Sequence, residues 1–488
     1  MGTTLPGVAE LLLGIDVGTS VLKAGVYGRD GVCLGSGEAR QGVVSPEPGW
    51  AEQSPPMWWR GAKRAVRQAL RAAGVTGEAV AAVGLSTQGG TIALFDGAGA
   101  PLMPAMVWCD RRQLGAGDDD PTAAEHFDLT GNASRHMTPA AIAWLKANRG
   151  EHFARARRIG YVPDYMTFRL TGAWINDPTN LSISNLLDLS TLDIPTPALD
   201  RLGVERSLFA ETRKPGEVAG HLLPAAAREL GLRAGIPVAT PAHDQYAAAL
   251  GAGCTREGDL LLSCGTAWVL LLTTGQPIID RDSSFIAGPH AEPGRWGLLG
   301  AISSGGATLE AVLALTSAKR DFGRINEAVA SVPPGSDGVV VIPHLLGRTL
   351  PTRDAEARGA ILGLAPGLGR ERLWRAAMEG LACETRAACD YLRLRGAVIS
   401  ELRMVGGAAR SPVWPDIVAS VIGVPTLTHA GGDLAVRGAA CLAAHAVGWG
   451  DLPDSGVWRR HDPAPEWRET YDTLYTRYRD AIGRLEHE

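Results

Sequence analysis

The sequence lacks the features that mark several classes of protein. Its seven cysteines are scattered without a Cys-x-x-Cys pair, so neither a disulfide framework nor a zinc site is predicted. The net charge of −5 gives no electrostatic argument for binding nucleic acid or an anionic membrane. No apolar run approaches the roughly 18 residues of a membrane-spanning helix, and no signal-like segment opens the chain. We therefore expect a reduced, cytoplasmic, soluble enzyme with no nucleic-acid or membrane partner. The sequence leaves open whether the protein forms a homodimer.

Length and strand pattern indicate more than one domain. A chain of 488 residues is too long for a single core. The strand pattern restarts at about residue 257, after the segment "LGAGCTREG". We place a first domain at residues 8–253, a second at 254–450 and a helical cap at 451–488.

Two stretches repeat one pattern of strand, turn and strand. They are "LLLGIDVGTSVLKAGVY" at 11–27 and "LLLSCGTAWVLLLT" at 260–273. In each turn, glycine lets the chain approach a ligand closely, and backbone amides and hydroxyls offer hydrogen bonds that suit phosphate oxygens. One acid beside such a loop can hold, through water, the magnesium that accompanies a nucleotide. A single Gly-Thr/Ser turn is weak evidence because plain hairpins contain it, but two of them, one opening each half, indicate duplicated domains that clamp a nucleotide.

Further segments follow these hairpins in a fixed order. They include "EPGWAEQSPPMWW", "VGLSTQGGTIALFDGAGAPLMPAMVWCDRR", "PDYMTFRLTG", "NDPTNLSISNLLDL", "PAHDQYAAALGAG" and "MVGGAARSPVWPDIVASVIGVP". Together with the first hairpin they resemble the FGGY carbohydrate kinases (xylulokinase-like) of the actin–hexokinase–Hsp70 superfamily. The resemblance covers roughly residues 11–450.

The resemblance implies both a fold and a reaction. The fold class is α/β, with two actin-like (ribonuclease H-like) ATPase domains around a catalytic cleft, each a mixed sheet flanked by helices. The activity is ATP- and magnesium-dependent transfer of phosphate to a terminal hydroxyl of a small-molecule sugar or polyol. The best guess is the ketopentose D-xylulose, with ribulose, L-xylulose, gluconate, erythritol and glycerol as alternatives.

The resemblance also assigns roles to residues. Asp244 is the predicted general base, although an Asp at that position can simply cap the following helix. Asp16 and Asp244 are the predicted magnesium residues, and Lys23 is left out as a strand residue facing water. The predicted nucleotide-binding residues are Gly18, Thr19, Ser20, Gly265, Thr266, Gly305, Gly306, Gly406, Gly407, Ala408 and Ser411.

The predicted sugar pocket departs from known members of the family. Its residues are Gln88, Gly89, Gly90, Trp108, Asp110, Asp244 and Gln245. Members acting on D-xylulose carry Met-His after the glutamine and those acting on glycerol carry Arg-Glu, whereas this chain has two glycines. Those glycines offer only backbone and space, unless a neighbouring loop around Met137 fills it. Trp108 and Asp110 either line the pocket or buttress it.

Two rival functions belong to other classes. An actin- or chaperone-like ATPase is disfavoured because no long insertion for peptide binding or polymerisation is present. A non-catalytic sugar sensor is disfavoured because Asp244 accompanies both phosphate hairpins.

Overall fold

The computed structural model describes residues 10–113, 123–132, 137–316, 320–429, 431–454 and 456–485. The strands are β1 (Leu11–Val17), β2 (Val21–Tyr27), β3 (Cys33–Arg40), β4 (Glu52–Gln53), β5 (Val80–Thr87), β6 (Ile92–Phe95), β7 (Ala105–Met106), β8 (Arg158–Tyr161), β9 (Ile175–Asn176), β10 (Glu211–Thr212), β11 (Val218–His221), β12 (Pro237–Ala239), β13 (Ala242–His243), β14 (Asp259–Cys264), β15 (Trp268–Thr274), β16 (Ile286–Pro289), β17 (Trp296–Ile302), β18 (Val340–Ile342), β19 (Ala360–Leu362), β20 (Glu401–Gly406), β21 (Thr426–His429) and β22 (Trp458–His461).

The helices complete the list of elements. They are α1 (Pro55–Ala73), α2 (Ala123–Thr130), α3 (Thr138–Asn148), α4 (Gly150–Arg155), α5 (Val162–Thr171), α6 (Pro178–Ile183), α7 (Thr196–Leu202), α8 (Pro224–Leu230), α9 (Asp244–Ala252), α10 (Gly305–Leu315), α11 (Phe322–Ala330), α12 (Arg370–Arg393), α13 (Trp414–Ile422), α14 (Leu434–Ala446) and α15 (Arg468–Leu485). Within the described residues, none of these helices is long and apolar enough to cross a membrane.

The chain folds into two compact units whose limits differ from the predicted boundaries. The first unit contains residues 1–253, 288–295 and 432–455, and the second contains 254–287, 296–431 and 456–488. The break after Gly253 coincides with the predicted one. Residues 432–455 belong to the first unit because α14, which lies within them, packs on β1 and β5.

The first unit is built on a mixed sheet with strand order β11-β12-β5-β1-β2-β3, and β13 pairs with β5. Strand β1 runs antiparallel to β2 and parallel to β5. Because neighbouring residues of a strand point to opposite faces, Leu13 and Ile15 share a core with Trp58 of α1, whereas Gly14 faces α14.

Glycines let α14 lie directly against the strands. A Cβ atom on Gly14 would lie 2.1 Å from the carbonyl oxygen of Val436, and one on Gly84 would lie 1.8 Å from that of Ala439. Real Cβ atoms do not approach an oxygen so closely, so any larger residue at these positions would force helix and sheet apart.

The second unit repeats the plan with the strand order β16-β17-β15-β14-β20-β21-β22. Strand β14 is antiparallel to β15 and parallel to β20. Helix α13 packs beside β21 and against α12. Each unit is therefore an α/β structure with a mixed sheet and flanking helices, and the predicted fold class is confirmed.

The last helix differs from the expected peripheral cap. Strand β22 joins the second unit's sheet, and Tyr471 and Tyr478 of α15 are fully buried. The Arg375 Nη2 atom donates to the Tyr471 hydroxyl at 2.9 Å, and the Tyr478 hydroxyl donates to Glu384. Residues 456–485 thus contribute to the core of the second unit, because this tyrosine face has partners on α12.

Candidate active site

Three strands of the first unit end at one edge of its sheet. Asp16 of β1 lies beside Ser86 of β5, and His243 of β13 lies beside Thr87. All three strands are parallel, so their carboxyl ends meet, and open α/β sheets bind ligands at that edge. Asp244 follows β13 directly as the first residue of α9. The predicted metal residues and the predicted base are therefore brought to the same edge.

Asp16 is a buried acid in a field of other acids. Its carboxylate accepts a hydrogen bond of 2.7 Å from the Ser86 hydroxyl. Burial raises its pKa well above the ordinary value, and the charges of Asp433 and Asp244 raise that pKa further. The site therefore carries more negative charge than its own positive side chains neutralise.

Asp433 and Lys23 form an ion pair beside Asp16. The Lys23 Nζ atom lies 2.5 Å from Asp433 Oδ2, and the other oxygen of Asp433 accepts from the amides of Ala435 and Val436 at the start of α14. Burial alone would lower the pKa of Lys23, but the Asp433 carboxylate outweighs burial and raises it. Neither Asp433 nor Lys23 is among the residues predicted from the sequence, although "GGDLAV" carries the pattern of a helix cap before an apolar run.

The acids fit a hydrated magnesium ion better than a directly bound one. Among the described residues, no three Asp, Glu, His or Cys side chains converge as a metal site. After burial and Asp433, the charge of Asp244 also raises the pKa of Asp16, and a divalent cation between these acids would relieve their repulsion. Mg²⁺ usually keeps several waters and takes only one or two carboxylates.

The first predicted phosphate loop is held by glutamines. Gln41 Nε2 donates to the carbonyl oxygen of Gly18 at 3.1 Å, and Gln53 Nε2 donates to that of Thr19 at 2.7 Å. The Thr19 hydroxyl donates to Gln88 Oε1 at 2.7 Å, while Gln88 Nε2 donates to Gln53 Oε1 at 2.9 Å. Ser20 is exposed at the tip of the turn. Gln88, a predicted sugar residue, is thus tied to the loop, and its contact with a substrate stays a prediction.

Trp108 and Asp110 have different surroundings. The Trp108 side chain is 47% exposed, and its Nε1 atom donates to the Thr19 hydroxyl at 2.9 Å. Asp110 is buried, accepts from the amide of Ala51 at 2.6 Å and pairs with Arg112 at 2.7 Å. Asp110 is thus bound by groups of the protein, whereas Trp108 is half-exposed, and a contact of either with a substrate stays a prediction.

The space beside the two pocket glycines is occupied. A Cβ atom at Gly89 would lie 2.3 Å from Cδ2 of His243, and one at Gly90 would lie 3.0 Å from Sδ of Met137. Gly90 also has a φ of +69°, which favours glycine. Met137 therefore occupies the space beside Gly90, as one of the alternatives held. The space beside Gly89 is occupied by His243, which was not predicted from the sequence.

Asp244 and its neighbours combine exposure with burial. The Asp244 side chain is 30% exposed, and its Oδ1 atom lies 3.5 Å from Nε2 of His243. Burial lowers the pKa of His243, which holds the imidazole neutral. The Oε1 atom of Gln245 is buried without a hydrogen-bond partner in the described structure. Asp244 is therefore a carboxylate that solvent and a ligand can reach, unlike the buried Asp16.

A short helix supports His243 from behind. Helix α6 begins after Asp177, whose carboxylate accepts from the amide of Asn180 at 3.0 Å. The Thr179 hydroxyl accepts from the amide of His243 at 2.8 Å. The Oδ1 atom of Asn180 lies 3.3 Å from where a Cβ of Gly89 would stand. The segment "NDPTNLSISN" thus surrounds the glycine turn, a role that its density of small polar residues does not reveal.

The second unit gathers its own predicted nucleotide residues. Gly265 and Thr266 form the exposed turn between β14 and β15. The amide of Gly306, in the first turn of α10, donates to the carbonyl oxygen of Gly265 at 3.1 Å. A Cβ at Gly305 would lie 2.5 Å from the backbone nitrogen of Trp268, so α10 begins directly against the hairpin.

The predicted nucleotide-binding residues that end β20 and follow it, from Gly406 to Ser411, begin at the same hairpin. The amide of Gly407 donates to the carbonyl oxygen of Cys264 at 3.0 Å, and Gly406 has a φ of +90°. Ala408 is buried in a single 3₁₀ turn, and the α-helix begins only at Trp414. The Ser411 hydroxyl accepts from the amide of Trp414 at 3.1 Å, so it caps that helix.

Two family models account for most of the chain. The N-terminal domain of the FGGY family of carbohydrate kinases matches residues 11–251, and its C-terminal domain matches 260–447. The chain belongs to the FGGY family of carbohydrate kinases. It is therefore an ATP-dependent phosphotransferase that acts on a carbohydrate or polyol.

Similar proteins carry different substrate names. The glycerol kinase of Symbiobacterium thermophilum is 30% identical over 97% of this chain and 98% of its own, and that of Alkalilimnicola ehrlichii is 31% identical over 90% of each. The solved xyloylose kinase of Brucella ovis has a TM-score of 0.91 at 29% identity, covering 98% of this chain and 99% of its own. The xylulose kinase of Rhodospirillum rubrum has a TM-score of 0.90 at 25% identity with the same coverage.

Proposed function

We propose that this FGGY kinase transfers the γ-phosphoryl group of ATP to the terminal hydroxyl of a ketopentose or a related polyol, with D-xylulose as the first candidate. The observation that carries the proposal is the reachable carboxylate of Asp244 at the sheet edge where Asp16 and the turn at Gly18 also lie.

The chemistry needs one base and good positioning. Asp244 takes the proton of the acceptor hydroxyl, whose oxygen forms a bond to the γ-phosphorus while the bond to the β–γ bridging oxygen breaks and ADP leaves. Asp244 lies in the first turn of α9, at the positive end of the helix dipole. Binding of the acceptor is assigned to Gly89, Gly90, Trp108 and Gln245.

The nucleotide is assigned to two glycine-rich groups. The turn at Gly18–Ser20 in the first unit and the turn at Gly265–Thr266 in the second are assigned to the phosphate oxygens, while Gly306, whose amide donates to the carbonyl oxygen of Gly265, holds the second turn in place. Asp16 and Asp244 would hold magnesium through water, and the ion would neutralise charge on the phosphates.

The main rival acceptor is glycerol. It is favoured by the names of relatives at 30–31% identity, whereas D-xylulose is favoured by the names of the solved structures at 25–29%. Neither the Met-His nor the Arg-Glu pair follows Gln88, so the pocket pattern supports neither acceptor over the other.

A panel of acceptors tests the proposal. ADP release is measured with glycerol, erythritol, D-ribulose, D-xylulose, L-xylulose and gluconate, with Asp244→Asn as the inactive control. We expect a ketopentose to give the highest kcat/KM, at least about tenfold above glycerol, the scale of one modest pocket contact. Glycerol as the best acceptor would replace the ketopentose. ATP consumption that no acceptor changes would instead favour an ATPase.

A further inference from the structure

The chain has room for a ring at position 243 or for a side chain at position 89, but not for both. A Cβ at Gly89 would lie 2.3 Å from Cδ2 and 2.8 Å from Nε2 of the imidazole. The backbone of Gly89 lies outside the left-handed region, so its conformation alone does not demand glycine. The absence of a side chain at 89 is therefore explained by His243.

The imidazole is fixed in this place from several sides. The backbone amide of His243 donates to the Thr179 hydroxyl at 2.8 Å, and the imidazole ring packs edge-on against Tyr246 with a centroid distance of 6.0 Å. The side chain is 91% buried, since 9% of it is exposed. Such a ring cannot swing away to admit a larger residue at 89 without disturbing its neighbours.

The two ring nitrogens have different surroundings. Nδ1 is buried and has no hydrogen-bond partner in the described structure, whereas Nε2 lies 3.5 Å from Oδ1 of Asp244. Nε2 is thus the ring nitrogen that faces a polar neighbour, and it is the one placed to donate a hydrogen bond at the site. His243 therefore presents a donor beside the carboxylate that meets the acceptor hydroxyl.

We infer that His243 is a specificity-determining residue, whose imidazole takes the place of a side chain at position 89 and donates from Nε2 to the hydroxyl next to the one that is phosphorylated. This inference rests on the proposed function, because it requires the reacting hydroxyl to meet Asp244. The 3.5 Å between Nε2 and Oδ1 is comparable to the separation of hydroxyl oxygens on adjacent carbons. The substrate class is a chain that ends in a vicinal diol.

Paired acceptors and paired variants test the hydrogen bond. Glycerol is compared with propane-1,3-diol, and D-xylulose with its 4-deoxy counterpart, in the parent, His243→Gln and His243→Leu. Gln keeps a donor near the Nε2 position, whereas Leu fills similar volume without one. We expect the parent to prefer the hydroxylated member of a pair by at least about tenfold in kcat/KM, because a buried donor left unpaired rejects the deoxy analogue.

The two variants should then separate. His243→Gln should keep the preference within about threefold of the parent, and His243→Leu should lose most of it through a higher KM for the hydroxylated acceptor, with the KM for ATP unchanged. An equal preference in the Leu variant and the parent would overturn the hydrogen bond, as would loss of activity in both variants through kcat alone.

A second measurement needs no substrate and therefore separates this inference from the proposed function. Melting temperatures are compared for Gly89→Ala, His243→Gly and the double variant. We expect Gly89→Ala to lower the melting temperature in the parent and to cost much less when the ring is absent, since residues in contact are not additive. Additive shifts would overturn the exclusion of a side chain at 89, whether or not any acceptor is phosphorylated.

Discussion

Asp433 caps α14 with one carboxylate oxygen and pairs with Lys23 through the other, so two substitutions at this position separate the two roles. Asp433→Asn keeps an acceptor for the amides of Ala435 and Val436 but removes the charge. Asp433→Ala removes both. Lys23→Met is the matched control, because it removes the ion pair and leaves the cap in place.

The contacts set the size of each effect. The side chains of Lys23 and Asp433 are 40% and 29% exposed, and ion pairs of that kind contribute about 0–1 kcal/mol. An N-cap replaced by Ala costs about 0.5–2 kcal/mol, whereas Asn caps about as well as Asp. We therefore expect Asp433→Asn and Lys23→Met to destabilise the first unit by less than about 1 kcal/mol, and Asp433→Ala, which loses both contributions, by about 0.5–3 kcal/mol.

Hydrogen exchange of the α14 amides, followed by mass spectrometry, is the appropriate assay because global unfolding of a chain with two units is not two-state. Exchange at Ala435 and Val436 should accelerate in Asp433→Ala and stay near the parental rate in the other two variants. If Asp433→Asn exchanges as fast as Asp433→Ala, the charge rather than the cap holds the helix end, and the reasoning is refuted.

Three further predictions concern catalysis, packing and pH. Asp244→Asn should lower kcat by roughly 10²–10⁴-fold while the affinity for ADP, measured by calorimetry, barely changes; turnover within a few-fold of the parent would exclude its role as base. Gly84→Ala should destabilise the first unit by about 1–3 kcal/mol and accelerate hydrogen exchange of the α14 amides, because the new Cβ meets the Ala439 carbonyl at 1.8 Å, whereas Gly42→Ala, with nothing within 4 Å, should leave exchange near the parental rate. Burial raises the pKa of Asp177 from 3.8 to about 7, so the folded protein holds a proton there that the unfolded chain has lost; stability should fall as pH rises from about 4 to about 7, and Asp177→Asn should flatten that slope in melting curves.

The local parts of the fold could be predicted from the sequence. Both strand–turn–strand segments form antiparallel hairpins, β1 with β2 and β14 with β15, because an apolar run and a glycine turn are local properties. The break after Gly253 could also be predicted, since the strand pattern restarts there. By chain order helix α14 falls in the second predicted domain, yet it packs on β1 and β5 of the first unit, because nothing within residues 434–446 states which sheet the helix covers.

The part of the site that could not be predicted depends on contacts between residues that are far apart along the chain. His243 and Gly89 are separated by 154 positions along the chain, and their exclusion of one another exists only after β13 has paired with β5. Lys23 looks like an exposed strand residue until Asp433, 410 positions away, is placed beside it. Gln88 is a residue type that often contacts a sugar, yet its side-chain amide forms hydrogen bonds with Thr19 and Gln53. Such pairings require the folded topology.

The discontinuity of the first unit bears on how the protein is made. One face of its sheet is covered by α14, whose backbone lies against Gly14 and Gly84, so the strands leave the ribosome more than 300 residues before the helix that seals them. During that interval the N-terminal strands expose an unsealed apolar surface, a state that is prone to aggregation. A fragment ending at Gly253 would leave that sheet face exposed permanently. A circular permutation that places α14 next to the strands in the chain would shorten the time for which the face is exposed during synthesis.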